Sequence, residues 1–336
     1  MTVHRNAATD YSDQRRGRVP PAVPGEHGLG LLVGDSEPMQ RLYDAIRGCA
    51  PGDSSVFLVG ESGSGKERVA RTIHQLSPRA KHGFVPLFCG ALSPELLESE
   101  LFGDDRSTFP GGVRDHAGYL QRAAGGTLFL DDITEMNAGL QARLLQVLEG
   151  GAAPGTRRGM ASDARIITAT SMDPEEAVER GRLNADLYRR LAQVGIRVPT
   201  LRERGEDIVR LAEHFLRECN AETGAEKEFQ EDTRDALRSH DWPGNVRELK
   251  EAVRHSHLLA GAAIKLEDLP GRVSSAGPGN SDYIRVNVGT PLSEVERRAI
   301  LSTLEHYDGD KKKAADTLKI SLKTLYNRLK QYNDRQ

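Results

Sequence analysis

Eight consecutive residues, Gly60-Glu61-Ser62-Gly63-Ser64-Gly65-Lys66-Glu67, constrain this chain more than any others. They fit the spacing G-x4-G-K. A short apolar run (55–60) precedes them, and a stretch with helical periodicity (67–75) follows. Between a strand and a helix, such a glycine-rich turn lets backbone N–H groups converge on phosphate oxygens. The helix adds the positive end of its dipole. Lys66 has the reach to meet the outer phosphates of a nucleotide. The next position, usually a Ser or Thr that ligates magnesium, is Glu67.

The surroundings of the loop repeat one pattern. Short apolar runs at 55–60, 84–89, 126–130 and 164–169 are separated by helical segments, the first of them at 39–49. Strands alternating with helices predict a mostly parallel α/β sheet. After Arg204 the strand-like runs stop. Residues 207–223, 230–239 and 246–260 read as three helices of an all-α unit. Residues 270–280, rich in Pro, Gly and Ser, read as a linker. The predicted organisation is therefore a flexible tail over 1–30 with no room for a sensory domain, an α/β unit over 31–203, a helical unit over 204–270, a linker over 271–290 and a C-terminal helical domain over 291–336.

Composition removes several function classes. The 336 residues are 38% hydrophobic and 28% charged, with a net charge of −3, so any affinity for nucleic acid must be local. Cys49, Cys89 and Cys219 are far apart with no metal-ligand spacing, which argues against a disulfide framework and suits a reducing compartment. No segment approaches the roughly 18 apolar residues of a membrane span, and the N-terminus lacks a secretory apolar core. We expect a cytoplasmic protein with no membrane partner.

Two further patterns carry chemistry. The run Gly125-Gly126-Thr127-Leu128-Phe129-Leu130-Asp131-Asp132 is an apolar strand ending in two carboxylates, which beside a phosphate loop can hold magnesium and orient an attacking water. Near the C-terminus, Leu292, Val295, Ala299, Ile300 and Leu304 share one helical face, and Asp308-Gly309-Asp310 breaks that helix. A short second helix (312–318) turns Ala314, Ala315 and Leu318 inward. Lys319-Ile320 forms the turn, Ser321 caps a third helix (322–332), and Ile320 and Leu325 plug the core. This is a helix-turn-helix pattern. From Lys311 to Gln336 eight Lys or Arg face two Asp or Glu, a basic patch suited to DNA phosphates. Lys312, Ser321, Lys323, Thr324, Asn327 and Arg328 are the candidate DNA contacts, with Tyr326 a weaker one.

Taken together, GESGSGKE, LVGDSEPMQRL, ESELFG, GGTLFLDD, LRERGEDI and DWPGNVREL resemble, in the same order, the signatures of the AAA+ domain of sigma-54-dependent transcriptional activators. The similarity runs from about Leu32 to the C-terminus. It implies an AAA+ phosphate-loop sheet with an α-helical lid, followed by a Fis-type helix-turn-helix domain whose first helix dimerises and whose third enters the major groove of DNA. ATP and Mg2+ are the implied cofactors. Gly60 to Glu67 would cradle the phosphates, Leu32 and Val33 would lie near the adenine, and Asp131 would ligate magnesium. Asp132 would polarise water, and Thr170 would lie in the sensor I strand. Arg190 would be an arginine finger reaching a neighbouring subunit's ATP, and Arg247 would be sensor II. The implied partners are double-stranded DNA at upstream promoter sites, RNA polymerase holoenzyme and further copies of the chain.

The chain also departs from that family. The GAFTGA loop that contacts sigma-54 corresponds to Ser107-Thr108-Phe109-Pro110-Gly111-Gly112, with Pro110 at the central threonine. Proline fixes φ and removes an N–H, so the loop tip changes shape and hydrogen bonding. The second acid of the carboxylate pair is Asp132 where the family has glutamate, and the asparagine that couples to it falls at Phe88. The sensor I asparagine is Ser171, the first arginine finger aligns with Asn184, with Arg182 nearby, and the loop at 150–162 is shorter. Groups that bind nucleotide are retained, and groups that hydrolyse it and address sigma-54 are altered. The expected function is an ATP-binding, DNA-binding transcription regulator with weakened hydrolysis and impaired sigma-54 contact. A conventional ATP-driven sigma-54 activator and a structural DNA-binding oligomer remain as alternatives.

Overall fold

Residues 127–130 are uncharged and fully buried, and that fixes where their strand must run: inside a sheet covered on both faces. The structure, a computed structural model, describes residues 28–103, 117–150, 163–274, 291–307 and 309–333. The predicted tail up to residue 27, the loop at 107–112, most of the loop at 150–162, the linker from 275 to 290 and Asp308 lie outside the described residues.

The chain divides into two compact units. The first opens with a hairpin, β1 (Gly28–Leu29) and β2 (Leu32–Val33), so a strand falls at the end of the expected tail. It continues through α1 (Glu37–Cys49), β3 (Val56–Val59), α2 (Lys66–Gln75), β4 (Phe84–Phe88), α3 (Pro94–Phe102), α4 (Tyr119–Arg122) and β5 (Thr127–Asp131). Then come α5 (Ala138–Leu148), β6 (Arg165–Thr170), α6 (Pro174–Glu179), α7 (Ala185–Leu191) and β7 (Val194–Arg197). The five strands from β3 to β7 form one parallel sheet in the order β4-β5-β6-β3-β7. The parallel α/β expectation is met. The fifth strand, β7, was not expected: only Ile196 of its four residues is buried, too little for an apolar signal.

Both sheet faces carry a core. On one, Phe57, Leu87, Leu128 and Leu130 pack with Leu97 and Leu101 of α3, Leu144 of α5 and Leu187 of α7. On the other, Val56, Leu58, Phe129 and Ile167 pack with Met39, Tyr43 and Ile46 of α1 and Val69 and Ile73 of α2. The end of α1 is closed by a buried cation. Arg165 donates to the carbonyls of Cys49 (2.7 Å) and Ala50 (2.9 Å), where a helix leaves acceptors unsatisfied and favours positive charge.

The second unit holds α8 (Asp207–Thr223), β8 (Glu228–Phe229), α9 (Glu231–Ser239), α10 (Asn245–Leu259), β9 (Ala263–Ile264) and α11 (Gly271–Ser274). α8 packs on α10. Trp242 is fully buried and its indole N–H donates to the Leu237 carbonyl at 2.9 Å, so the large ring leaves no polar atom stranded. The all-α expectation needs one correction. β8 and β9 pair in parallel through two residues each, a length at which a period of two leaves no trace in sequence.

The C-terminal elements are α12 (Leu292–His306), α13 (Lys311–Thr317) and α14 (Leu322–Asn333). Ile300, Ala314, Ala315 and Leu325 are buried together, with Leu304, Leu318 and Ile320 against them. Leu292, expected on the inner face, is 82% exposed, because the packed face begins further along α12. Asp310 caps α13 by accepting from the N–H groups of Lys312 and Lys313. Ser321 caps α14 by accepting from the N–H of Thr324 at 3.0 Å, as its residue type predicted.

Candidate nucleotide site and DNA-binding helices

The phosphate loop leaves the sheet at the carboxyl end of β3, where ligands of open parallel sheets bind. Its first residue is anchored to the neighbouring strand by Gly60 N–H donating to the Thr170 carbonyl at 3.2 Å. Its last, Lys66, is almost fully buried and donates Nζ to the Gly60 carbonyl at 2.8 Å, holding the ammonium across the base of the loop. Gly63 (φ +76°) and Gly65 (φ +101°) occupy left-handed backbone that side chains disfavour. Glu67 is paired with Arg71 at 2.8 Å one turn along α2, so its carboxylate balances a cation. Leu32 is buried among Met39 and Val69, and Val33 is half-buried beside it. Their hairpin is pinned to α2, where Arg68 donates to the Leu31 carbonyl and the Leu31 N–H donates to Thr72.

The loop tip belongs to the second unit. Arg247 donates to the Ser62 hydroxyl at 3.3 Å and its N–H to the Gly63 carbonyl at 3.3 Å. Arg204 donates to the Ser64 carbonyl at 3.0 Å. Arg202 and Asn245 hold the Glu61 carboxylate. Four predicted loop residues and predicted Arg247 are thus brought together.

The two acids end β5 differently. Asp131 is the last strand residue, and its Oδ1 is buried with no hydrogen-bond partner. Burial raises its pKa, the neighbouring Asp132 and Glu67 carboxylates raise it further, and Lys66 opposes them. The nearby Cys89 thiol is pushed far up by burial and by the Asp131 and Asp132 carboxylates. An orphaned buried carboxylate oxygen fits a hard cation such as Mg2+, which takes one or two protein carboxylates with phosphate and water making up the rest. Among the described residues no group of three or more His, Cys, Asp or Glu could hold a metal ion.

Asp132 takes left-handed backbone (φ +51°) and accepts from the Ser171 hydroxyl at 3.2 Å. Predicted Thr170 is fully buried; its hydroxyl meets that of Thr134 at 3.2 Å and accepts from Met172 N–H. Phe88 lies at the end of β4, in register with Asp131, and is 48% exposed. Arg190, on α7, donates to the Leu148 carbonyl at 3.3 Å. Asn184, where the family carries an arginine, is the N-cap of α7, accepting from Asp186 and Leu187 N–H at 2.9 Å. Arg182 lies 3.7 Å from Glu135.

The C-terminal candidates lie on two helices. Lys312 is exposed at the start of α13, and Ser321, Lys323 and Thr324 are exposed at the start of α14. Arg328 is paired with Glu296 of α12 at 3.0 Å. Lys311 sits 4.9 Å over the Tyr326 ring, a cation–π contact between α13 and α14. Asn327 lies on α14, and its side chain is outside the described residues.

Three family matches cover this architecture in order: the sigma-54 interaction domain over residues 32–197, the AAA+ ATPase lid domain over 202–283, and the bacterial regulatory protein, Fis family, over 291–332. The chain is 39% identical over 326 residues to the transcriptional regulatory protein ZraR of Salmonella typhimurium, covering 96% of this chain and 73% of that protein. It is 36% identical over 324 residues to the regulatory protein LuxO of Vibrio parahaemolyticus, covering 93% of this chain and 72% of that one. The chain belongs to the sigma-54-dependent regulator family. The crystal structure of NtrX from Brucella abortus in complex with ATP superposes with a TM-score of 0.66 at 30% identity, over 90% of this chain and 69% of that one.

For this sigma-54-family chain, four residues at the site escaped the sequence reading as contact-makers. Arg202 and Asn245 engage Glu61 from 141 and 184 residues away, Arg204 engages Ser64 from 140, and no local pattern encodes such separations. Ser171 stood out as a departure, whereas its hydrogen bond to Asp132 had no signal in sequence. Among the described residues no helix is long and apolar enough to cross a membrane.

Proposed function

We propose that this chain is an ATP-binding, DNA-binding transcription regulator in which hydrolysis is weakened and contact with sigma-54 impaired. The observation that carries the reading is the contrast at the loop. The residues that would meet the phosphates are held in place, while the hydrolytic acid is the shorter Asp132, with Phe88 at the strand end where a hydrogen-bonding partner is expected. Mg2+, when bound, would supply charge neutralisation for the phosphates, and Asp131 is the residue that would hold it. Lys66 would bind the outer phosphates, and Arg247, already on the loop tip, would report their presence. Arg190 would act on a neighbouring copy, which makes a homo-oligomer part of the proposal. Asp132 orients water through a carboxylate set back by one methylene, and a misplacement of about 1 Å lowers a rate by roughly a hundredfold. Pro110 supports the impaired sigma-54 contact through its fixed φ and missing N–H.

The C-terminal helices would bind double-stranded DNA at upstream promoter sites, α14 entering the major groove with Ser321, Lys323, Thr324 and Asn327 near base edges and Lys312 on phosphate. RNA polymerase holoenzyme would be the downstream partner. The protein would act in the cytoplasm. A conventional ATP-driven activator is the second reading, favoured by Ser171, which holds the Asp132 carboxylate and could compensate for its length.

The deciding experiment measures ATP turnover with and without DNA, beside sigma-54-dependent open-complex formation. Turnover near roughly 1 per second, an ordinary enzymatic value, together with open complexes would sink the weakened-hydrolysis reading. The double substitution Pro110→Thr with Asp132→Glu is expected to raise both.

A further inference from the structure

Two large apolar side chains are left exposed together on α14. Leu322 and Tyr326, 42% and 50% exposed, stand one turn apart at i, i+4 and share one flank of the helix. Lysines predominate around them. Lys311, Lys312 and Lys313 open α13, Lys319 lies in the turn and Lys323 on the first turn of α14, all exposed. Lys311 sits 4.9 Å over the Tyr326 ring and steadies it against α13.

A single exposed leucine needs no explanation, because much of any protein surface is apolar. The neighbours of this pair are what make it informative, since the polar groups that could address base edges are already engaged. Ser321 Oγ accepts from Thr324 N–H at 3.0 Å and lies 2.7 Å from Thr324 Oγ1, so the two hydroxyls serve the helix cap and each other. Arg328, of the residue type that reads guanine through two hydrogen bonds, is paired with Glu296 of α12 at 3.0 Å. Among the described side chains, the first two turns of α14 therefore present Lys323 and, beside it, a leucine and an aromatic ring. Lysines supply affinity for phosphates whatever the sequence. The apolar group that the major groove offers is the C5-methyl of thymine.

We propose that α14 reads thymine. Leu322 and Tyr326 pack against C5-methyl groups in the major groove, and the lysines around them hold the phosphates. The inference rests on the DNA-binding reading above and deepens it by naming what is recognised. Residues one turn apart are separated by about 6 Å along a helix. The two methyl groups therefore lie about two base-pair steps apart, at about 3.4 Å per step.

The test uses the full chain and a pool of duplexes with a random central stretch. Bound duplexes are recovered over several rounds. The preferred duplex is then remade with each thymine replaced in turn by deoxyuridine, which keeps every hydrogen-bonding group and lacks only the methyl. Affinity is measured by fluorescence anisotropy at fixed salt. At two thymines in the stretch bound by one copy of α14, the replacement is expected to weaken binding by about fourfold, the transfer value of one methyl group. Leu322→Ala and Tyr326→Ala should each abolish the effect at one of those thymines and leave it at the other. Tyr326→Phe should keep both. The two side chains lie outside the buried cluster of Ile300, Ala314, Ala315 and Leu325, and heat denaturation checks that the variants stay folded. Binding indifferent to deoxyuridine at every thymine would overturn the inference. So would a methyl effect of unchanged size in both alanine variants, or a pool from which no preferred sequence emerges. Tyr326→Phe behaving like Tyr326→Ala would assign that position to the hydroxyl and overturn its apolar reading. No binding of any duplex by the unmodified chain would overturn the DNA-binding reading itself and the inference with it.

Discussion

The loop tip and the carboxylate pair do opposite things with their polar atoms. At the tip, the Glu61 carboxylate, the Ser62 hydroxyl and carbonyl and the Gly63 and Ser64 carbonyls all have protein partners. At the end of β5, Asp131 Oδ1 is buried with none, beside a second acid that repels it. In the first arrangement only the buried Ser64 hydroxyl is left without a partner. The second is strained by charge and needs a cation to relieve it. Groups already paired reorganise little when phosphate arrives, whereas a carboxylate with one oxygen unpartnered, offset only by the Lys66 charge and the Asp132 N–H, holds an affinity that a metal or a proton releases. The loop tip is therefore built for shape and the strand end for charge, and perturbing them should give effects of different sign.

The largest effect is expected at the base of the loop. Lys66→Ala removes the cation that spans the loop base, and nucleotide affinity should fall by about a hundredfold or more, in line with losing a charged hydrogen-bonding partner in a nearly buried position. Equilibrium binding of a fluorescent ATP analogue measures it. A loss of only twofold would mean that the tip residues carry the phosphates without Lys66. On the charge side, Asp131→Asn should act in both directions. Without nucleotide it should stabilise the chain by about 1 kcal/mol at neutral pH, because one buried repulsive charge is gone. With Mg2+ present, nucleotide affinity should drop about tenfold, and the magnesium dependence of binding should disappear. Melting curves and titrations at several magnesium concentrations check both halves. Destabilisation of the ligand-free protein would show that the carboxylate is satisfied after all.

The two sides were not equally legible. Gly63 and Gly65 announce the loop because backbone at positive φ selects glycine wherever it occurs, and the strand before and helix after confirm the context. Asp131 and Asp132 could be read off the end of an apolar run. β7 could not: it rests on one buried isoleucine and on pairing with β3, a tertiary fact. The β8–β9 pair was invisible because two residues hold no periodicity. Asn245 sits in a recognisable turn after Trp242, yet its role depends on where the loop tip lies, and that is set by packing. In the C-terminal helices the opposite held. Capping by Ser321 and inward packing of Ala314, Ala315 and Leu325 follow from local residue types, so the sequence spoke clearly; only Leu292, at the helix start, pointed outward against its spacing.

The smallest effect concerns a carboxylate shifted the other way from Asp131. Glu218 on α8 accepts from His214 one turn earlier at 3.3 Å and from Lys250 of α10 at 3.2 Å. The His214 hydrogen bond, with the Lys250 charge beside it, lowers its pKa to about 2 against the resistance of burial. Because the folded value lies below the unfolded one, Glu218 contributes stability that is fully present above the ordinary carboxylate range and is lost as pH falls from about 4.5 toward 2. Asp131 has the reverse sign: its ionised form opposes folding, so its penalty shrinks as pH falls through its raised value. Glu218→Gln should therefore cost about 1 kcal/mol at pH 7, after discounting for its partial exposure, and less at pH 3. The stability gained by Asp131→Asn should shrink over the same descent. Urea denaturation of the two variants beside the unmodified chain at both pH values compares a carboxylate held by cations with one left to repel a neighbour. If Glu218→Gln costs the same at pH 3 as at pH 7, the α8–α10 contact depends on its packing and hydrogen bonds, and the charge of Glu218 adds nothing to it.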